Sequence, residues 1–110
     1  MSASNLRDIH WKPDGSTFYL LHNGNIVDQY SCSTSWDVTT GTKVYSMNQS
    51  GGNSSMGLYI DPTGYYVFTT DYGNGTIYRW EMTTPWRIDT ATYQSTYTAS
   101  ATYAYGANII

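Results

Sequence analysis

Residues 56–97 read MGLYIDPTGYYVFTTDYGNGTIYRWEMTTPWRIDTATYQSTY, and residues 6–47 read LRDIHWKPDGSTFYLLHNGNIVDQYSCSTSWDVTTGTKVYSM. Pro13 aligns with Pro62 and Gly15 with Gly64 at a separation of 49. Past one inserted residue near Tyr72, Tyr30 aligns with Trp80, Trp36 with Trp86 and Val38 with Ile88 at a separation of 50. An insertion there falls where a turn tolerates it. The chain is therefore one unit written twice, and a repeat of this kind is a supersecondary element that buries its faces by stacking on its neighbours.

Each unit reads as four short strands. The first carries Ile9 and Trp11 on one face, matched by Leu58 and Ile60. Lys12-Pro13-Asp14-Gly15 and Asp61-Pro62-Thr63-Gly64 are turns, because Pro presets φ and Gly accepts positive φ. The second strand is Thr17–Leu21 or Tyr65–Thr70. The Asn-Gly pairs of His22-Asn23-Gly24-Asn25 and Asp71-Tyr72-Gly73-Asn74-Gly75 signal hairpins. The third strand is Ile26–Cys32 or Thr76–Met82; a Ser/Thr-rich corner then leads to Trp36 or Trp86, and the fourth strand starts near Lys43 or Tyr93. No segment has a helical period, so the class is all-β.

The Pro-x-Gly turn followed downstream by Thr-Ser-Trp-Asp-Val-x-Thr or Thr-Pro-Trp-Arg-Ile-x-Thr resembles the propeller-type repeats of bacterial surface proteins and phage structural proteins. The resemblance covers both units and implies two four-stranded antiparallel blades. It implies no particular ligand, since one fold serves many functions. The expected divisions are an N-terminal lead at 1–5, blade 1 at 6–47, a Gly/Ser/Asn linker at 48–55, blade 2 at 56–99 and a C-terminal arm at 100–110. Full propellers close with four to eight blades. Two blades would leave two apolar flanks bare, so a homo-oligomeric ring, three chains being one closure, or a larger protein lattice is expected. The isolated monomer is expected to be poorly stable. The arm, with Tyr103 and Tyr105 alternating with Thr102 and Ala104, reads as a strand able to join a neighbour's sheet edge.

Composition fits strands and turns. Apolar residues are 40% of the 110, aromatics 16% with twelve Tyr among them, and charged residues only 12%. A net charge of −3 and five scattered basic residues argue against nucleic acid and against an anionic membrane surface. Met1 to Arg7 lack the apolar stretch of a secretion signal, and no run reaches transmembrane length. A virion or extracellular location is expected, reached by lysis, within a virion, or after removal of a leader.

Catalytic signatures are missing. Cys32 stands alone, on a strand where it reads as a small buried hydrophobe. No family signature joins it to His10 or His22, and no Gly-x-Ser-x-Gly elbow appears. His10 aligns with Tyr59, which suggests a shared packing position. The seven Asp and Glu81 offer no marked acid pair; Asp14 and Asp71 read as turn residues, and Asp37 and Asp89 flank the Trp corner. Asp71 to Thr76 faintly resembles a calcium loop but lacks the later bidentate acid, so a plain hairpin is preferred and neither metal nor cofactor is expected.

The aromatics divide by whether they recur. Trp36 and Trp86 recur and should close the corner between strands three and four, with Pro13, Gly15, Pro62 and Gly64 shaping the turns. Tyr30 and Trp80 should pack between blades. The unmatched Tyr65, Tyr66, Tyr72, Tyr103 and Tyr105 are the candidate binding residues, since exposed Tyr gives wide contact at small entropic cost. Gln49–Ser55 reads as a flexible linker. The function expected is that of a non-catalytic structural or recognition subunit of an extracellular or virion assembly, of the phage tail, fibre or capsid-decorating type. The alternative is an oligomeric lectin with carbohydrate sites between blades.

Overall fold

The computed structural model describes residues 5–23, 25–49, 55–71 and 75–98. Strands β1 (Leu6–Trp11), β2 (Thr17–His22), β3 (Ile26–Cys32) and β4 (Gly41–Asn48) form one four-stranded antiparallel meander, sheet 1. Strands β5 (Ser55–Ile60), β6 (Tyr66–Asp71), β7 (Thr76–Met82) and β8 (Ala91–Thr98) form sheet 2 in the same order. Among the described residues the only helical pieces are single 3₁₀ turns, Val38–Thr40 and Ile88–Thr90, each just before a fourth strand. The fold class read from the sequence is the one observed.

The duplication extends to irregularities. The first strand pair of each sheet shifts register at the same place, Leu6/Asp8 in one and Ser55/Gly57 in the other. The third pair does so at Gln29/Tyr30 and Arg79/Trp80. The alignment changes separation at the second hairpin, where His22 pairs with Ile26 but Asp71 pairs with Thr76, so the extra residue is taken up in the turn. The fourth strands begin two residues earlier than Lys43 and Tyr93. The 3₁₀ turn reverses the chain sooner than the Ser/Thr run suggests, and Cys32 pairs with Gly41 and Met82 with Ala91.

Alternation along a strand gives each sheet two faces. The front face of sheet 1 carries Ile9, Trp11, Phe18, Leu20, Tyr30 and Cys32, and its back face carries Tyr19, Leu21, Val27, Gln29 and Met47. In sheet 2 the front face carries Leu58, Ile60, Val67, Thr69, Trp80 and Met82, and the back face carries Phe68, Thr70, Ile77, Arg79 and Tyr97. The main core joins unlike faces. Tyr19, Leu21, Val27 and Met47 from the back of sheet 1 pack on Leu58, Ile60, Val67, Met82 and Ile88, with Trp80 and Trp86 alongside. A second cluster, Phe18, Leu20, Tyr30 and Cys32 backed by Trp11, occupies the front of sheet 1.

Two expectations need correcting here. Trp80 does pack in the core between the sheets, but Tyr30 lies on the far face of its own sheet, stacked on Phe18 at a centroid distance of 4.9 Å. Equivalent residues of stacked repeats share an interface only with the next repeat, so one chain can place just one of the pair between sheets. Gln49 and Ser55, expected in a flexible linker, are buried: the Gln49 carbonyl accepts a 2.7 Å hydrogen bond from Thr69, and its amide donates to Ser55. Cys32 is buried, as its strand position suggested.

Candidate functional site

The most distinctive local structure occurs twice, where the β3–β4 corner meets the β1–β2 turn. Trp36 and Trp86 have φ of 68° and 64°, in the left-handed region. Each donates its amide to the carbonyl of the turn glycine, Trp36 to Gly15 at 2.8 Å and Trp86 to Gly64 at 2.9 Å. Each indole then lies on that glycine, where an added Cβ would come within 2.4 Å of the ring. Gly15 and Gly64 also have φ of 73° and 80°. Glycine is required there for two reasons, backbone conformation and room for the indole. Thr40 and Thr90 brace the corners, their hydroxyls donating to the carbonyls of Asp37 and Arg87 at 2.8 and 2.7 Å.

The two corners differ in what they touch. The corner of sheet 2 is docked on sheet 1. The Tyr19 hydroxyl donates to the Trp86 carbonyl at 2.7 Å, and the Ile88 amide donates to the Gln29 side-chain carbonyl at 2.8 Å. The Arg87 guanidinium lies over the Tyr45 ring at 4.5 Å and pairs with Asp89. Burial pushes the Tyr19 hydroxyl well above the ordinary tyrosine range, so it stays protonated and remains a donor. At the corner of sheet 1, Asp37 stands where Arg87 stands and caps its own turn by accepting from the Thr39 amide.

The same positions are buried in one unit and bare in the other. Leu58 is 2% exposed and its counterpart Ile9 43%; Ile88 is 0% exposed and its counterpart Val38 47%. Leu6, Arg7, Asp8, Ile9, Phe18, Leu20 and Val38 line an open, mostly apolar depression of about 430 Å³ on the front of sheet 1. On the back of sheet 2 the relation reverses: Met47 is 7% exposed, but its counterpart Tyr97 is 68%. The candidate site is thus a pair of sheet faces carrying exposed apolar side chains, the front of sheet 1 and the back of sheet 2.

Polar groups near the depression form one buried network. His22 Nε2 lies 2.7 Å from the Asp28 carboxylate, whose other oxygen accepts from Ser46 at 2.7 Å. Serine and histidine both bond the carboxylate and not each other, whereas a nucleophile–base pair needs the hydroxyl on the imidazole. Sequence reading missed this group because its members lie on three different strands. The counterpart network has Tyr78 donating to Asp71 at 3.3 Å, and burial beside Asp71 raises the Tyr78 pKa. Asp71, read as a turn residue, is the buried last residue of β6. His10 and Tyr59 touch each other edge-on, with centroids 5.4 Å apart, at the junction of β1 and β5. Among the described residues no three His, Cys, Asp or Glu gather as a metal site.

The five tyrosines singled out from sequence do not come together as a described site. Tyr65 is exposed beside the Pro62–Gly64 turn, and Tyr66 is half-buried beneath the Arg79 guanidinium at 4.5 Å. Tyr72, Tyr103 and Tyr105 lie outside the described residues. The exposed large side chains that matter to the bare faces are Ile9, Val38 and Tyr97, with Trp36 at the corner. A per-position comparison of the two units was the available signal: Val38 is apolar like Ile88 although it is 47% exposed. No helix among the described residues is long and apolar enough to cross a membrane. Comparisons with protein-family models and with curated proteins return no match, so the functional reading rests on this geometry.

Proposed function

We propose that this chain is a non-catalytic structural and recognition subunit: two propeller-type blades that work inside a larger extracellular or virion assembly, of the phage tail, fibre or capsid-decorating type. One observation carries the reading. Two positions that are fully covered in the second unit, Leu58 and Ile88, remain apolar but exposed in the first, at Ile9 and Val38, on the rim of an apolar depression floored by Phe18 and Leu20. A sheet face that meets water normally alternates to polar side chains, and a contiguous apolar patch with a polar rim marks an interaction surface. Low charge and abundant Tyr, Thr, Ser and Gly suit such a packed β assembly.

Sedimentation and electron imaging of the purified chain test the proposal, with a glycan array run beside them. A particle of several chains, with no glycan binding that depends on Tyr65 or Tyr66, is expected. Glycan binding lost on changing Tyr65 or Tyr66 would overturn it in favour of the oligomeric lectin, and a folded monomer throughout the micromolar range would overturn both readings.

A further inference from the structure

We infer that the apolar depression on the front of sheet 1, rimmed by the exposed Ile9 and Val38, is the docking site for the back of sheet 2 of a second copy of this chain, joined head to tail. The inference rests on the assembly reading above and adds the partner and the contacts. The occupant is identified by the interface already inside the chain. There, the back of one unit meets the front and corner of the next, and the two units have the same strand order and the same register shifts. Moving that packing along by one unit places the back of sheet 2 against the front of sheet 1 in the following copy. Each surface carries exposed large apolar side chains, Leu6, Ile9 and Val38 on the first and Tyr97 on the second.

Each position of the internal interface then has a definite counterpart between copies. Val27 and Met47, which share one core cluster with Ile88 and Leu58, have Ile77 and Tyr97 as counterparts, and Ile88 and Leu58 have Val38 and Ile9. Tyr97 is large, aromatic and, among the described residues, the most exposed of the large hydrophobic side chains. The depression of about 430 Å³ lined by Leu6, Ile9, Phe18, Leu20 and Val38 can receive it. Tyr19, which bonds the Trp86 carbonyl, becomes Phe68, so that hydrogen bond has no equivalent between copies. The charges compensate. Gln29 and Tyr45, neighbours in register beneath the docked corner, become Arg79 and Ser95. Arg87, which sits over Tyr45, becomes Asp37. The acidic corner thus lies over Ser95 with the basic Arg79 beside it in register, where the internal interface puts a basic corner over an aromatic ring, and like charges do not meet anywhere in this set. The interface is heterologous, so its rotation per chain either closes a ring or runs on as a filament.

The test uses the full chain with one face blocked at a time. Ile9→Glu with Val38→Glu blocks the head, and Ile77→Glu with Tyr97→Glu blocks the tail; circular dichroism checks that each keeps its strands. Analytical ultracentrifugation should find the wild type multimeric and each blocked variant monomeric. An equimolar mixture of the two should form a heterodimer, because each supplies the face the other lacks. Arg79→Asp should weaken association about tenfold or more, and Asp37→Arg in the same chain should restore it. Arg87 shows that this corner accepts arginine. Variants that stay multimeric singly, or a head-blocked variant that is monomeric while the tail-blocked one still pairs with itself, would overturn the head-to-tail interface and leave the assembly reading standing. A wild-type chain that is monomeric at every concentration would overturn both.

Discussion

Replacing Gly64 by alanine tests the corner on which the docking geometry depends. At φ 80° an alanine pays the left-handed penalty of about 1–2 kcal/mol. Its Cβ would also lie 2.4 Å from the Trp86 indole nitrogen, so the ring must leave the glycine. Displacing a partly buried aromatic forfeits about 1.5–2 kcal/mol of burial, giving a total near 3 kcal/mol. In a Trp86→Ala background the obstacle is gone, and Gly64→Ala should cost only the backbone share. The double-mutant cycle therefore predicts a coupling of about 1.5–2 kcal/mol. Urea denaturation followed by circular dichroism, at one fixed chain concentration because assembly adds stability by mass action, measures all four corners of the cycle. Costs that add within about 0.5 kcal/mol would show that the glycine is not there to seat the indole. Gly15→Ala should cost less, since Trp36 is already exposed and its ring can swing into water.

Three further outcomes are expected. Tyr19→Phe should lose about 1–2 kcal/mol by stranding the Trp86 carbonyl that its hydroxyl bonds, measured by the same denaturation. Gln49→Leu should cost about 1–3 kcal/mol by removing the acceptor for the buried Thr69 hydroxyl; a neutral result would return this segment to linker status. Burial holds the His10 pKa below its ordinary value of 6.5, so the unfolded chain binds the extra proton first. The neutral ring's contribution is complete above the unfolded pKa and is lost as pH falls below it. Thermal melts from pH 8 to pH 5 should decline through that window, and His10→Gln should flatten this part of the decline.

The strands and turns were legible because local chemistry specifies them. Pro13-Asp14-Gly15 and Pro62-Thr63-Gly64 force their turns whatever surrounds them, and the third strands begin and end where their apolar alternation does. The fourth strands were misplaced because Asp37-Val38-Thr39 carries no helical pattern; its 3₁₀ turn depends on the Asp37 cap and the Thr40 hydroxyl. The recurring Trp was legible as a corner residue, but its seat on a glycine some twenty residues earlier in the chain was not. Gln49 misled because polar residues flank it, and its burial comes from Thr69 across the sheet boundary. Tyr30 and Trp80 illustrate the general difficulty: a repeat shows that two positions are equivalent within their units, while burial depends on which neighbour each unit has.

That difference separates the two halves of this molecule. At the internal junction the corner carries Arg87 and Ile88, and the receiving face offers Tyr19, Gln29 and Tyr45. At the free ends the corner carries Asp37 and Val38, and the complementary face offers Phe68, Arg79 and Ser95. If both junctions had the same chemistry, the free corner could dock equally well on the back of its own kind of unit, and registers in which unit 1 follows unit 1 would compete. An acidic corner favours the face with Arg79, while the face with Tyr19, Gln29 and Tyr45 already holds the basic corner of its own chain. Discrimination of this kind comes from unlike charges at the intended junction together with the absence of a matching partner at the wrong one. In the proposed head-to-tail assembly the apolar positions would supply adhesion without choosing between partners, and the exchange of charge at positions 37, 79 and 87 would set the order in which the units follow one another.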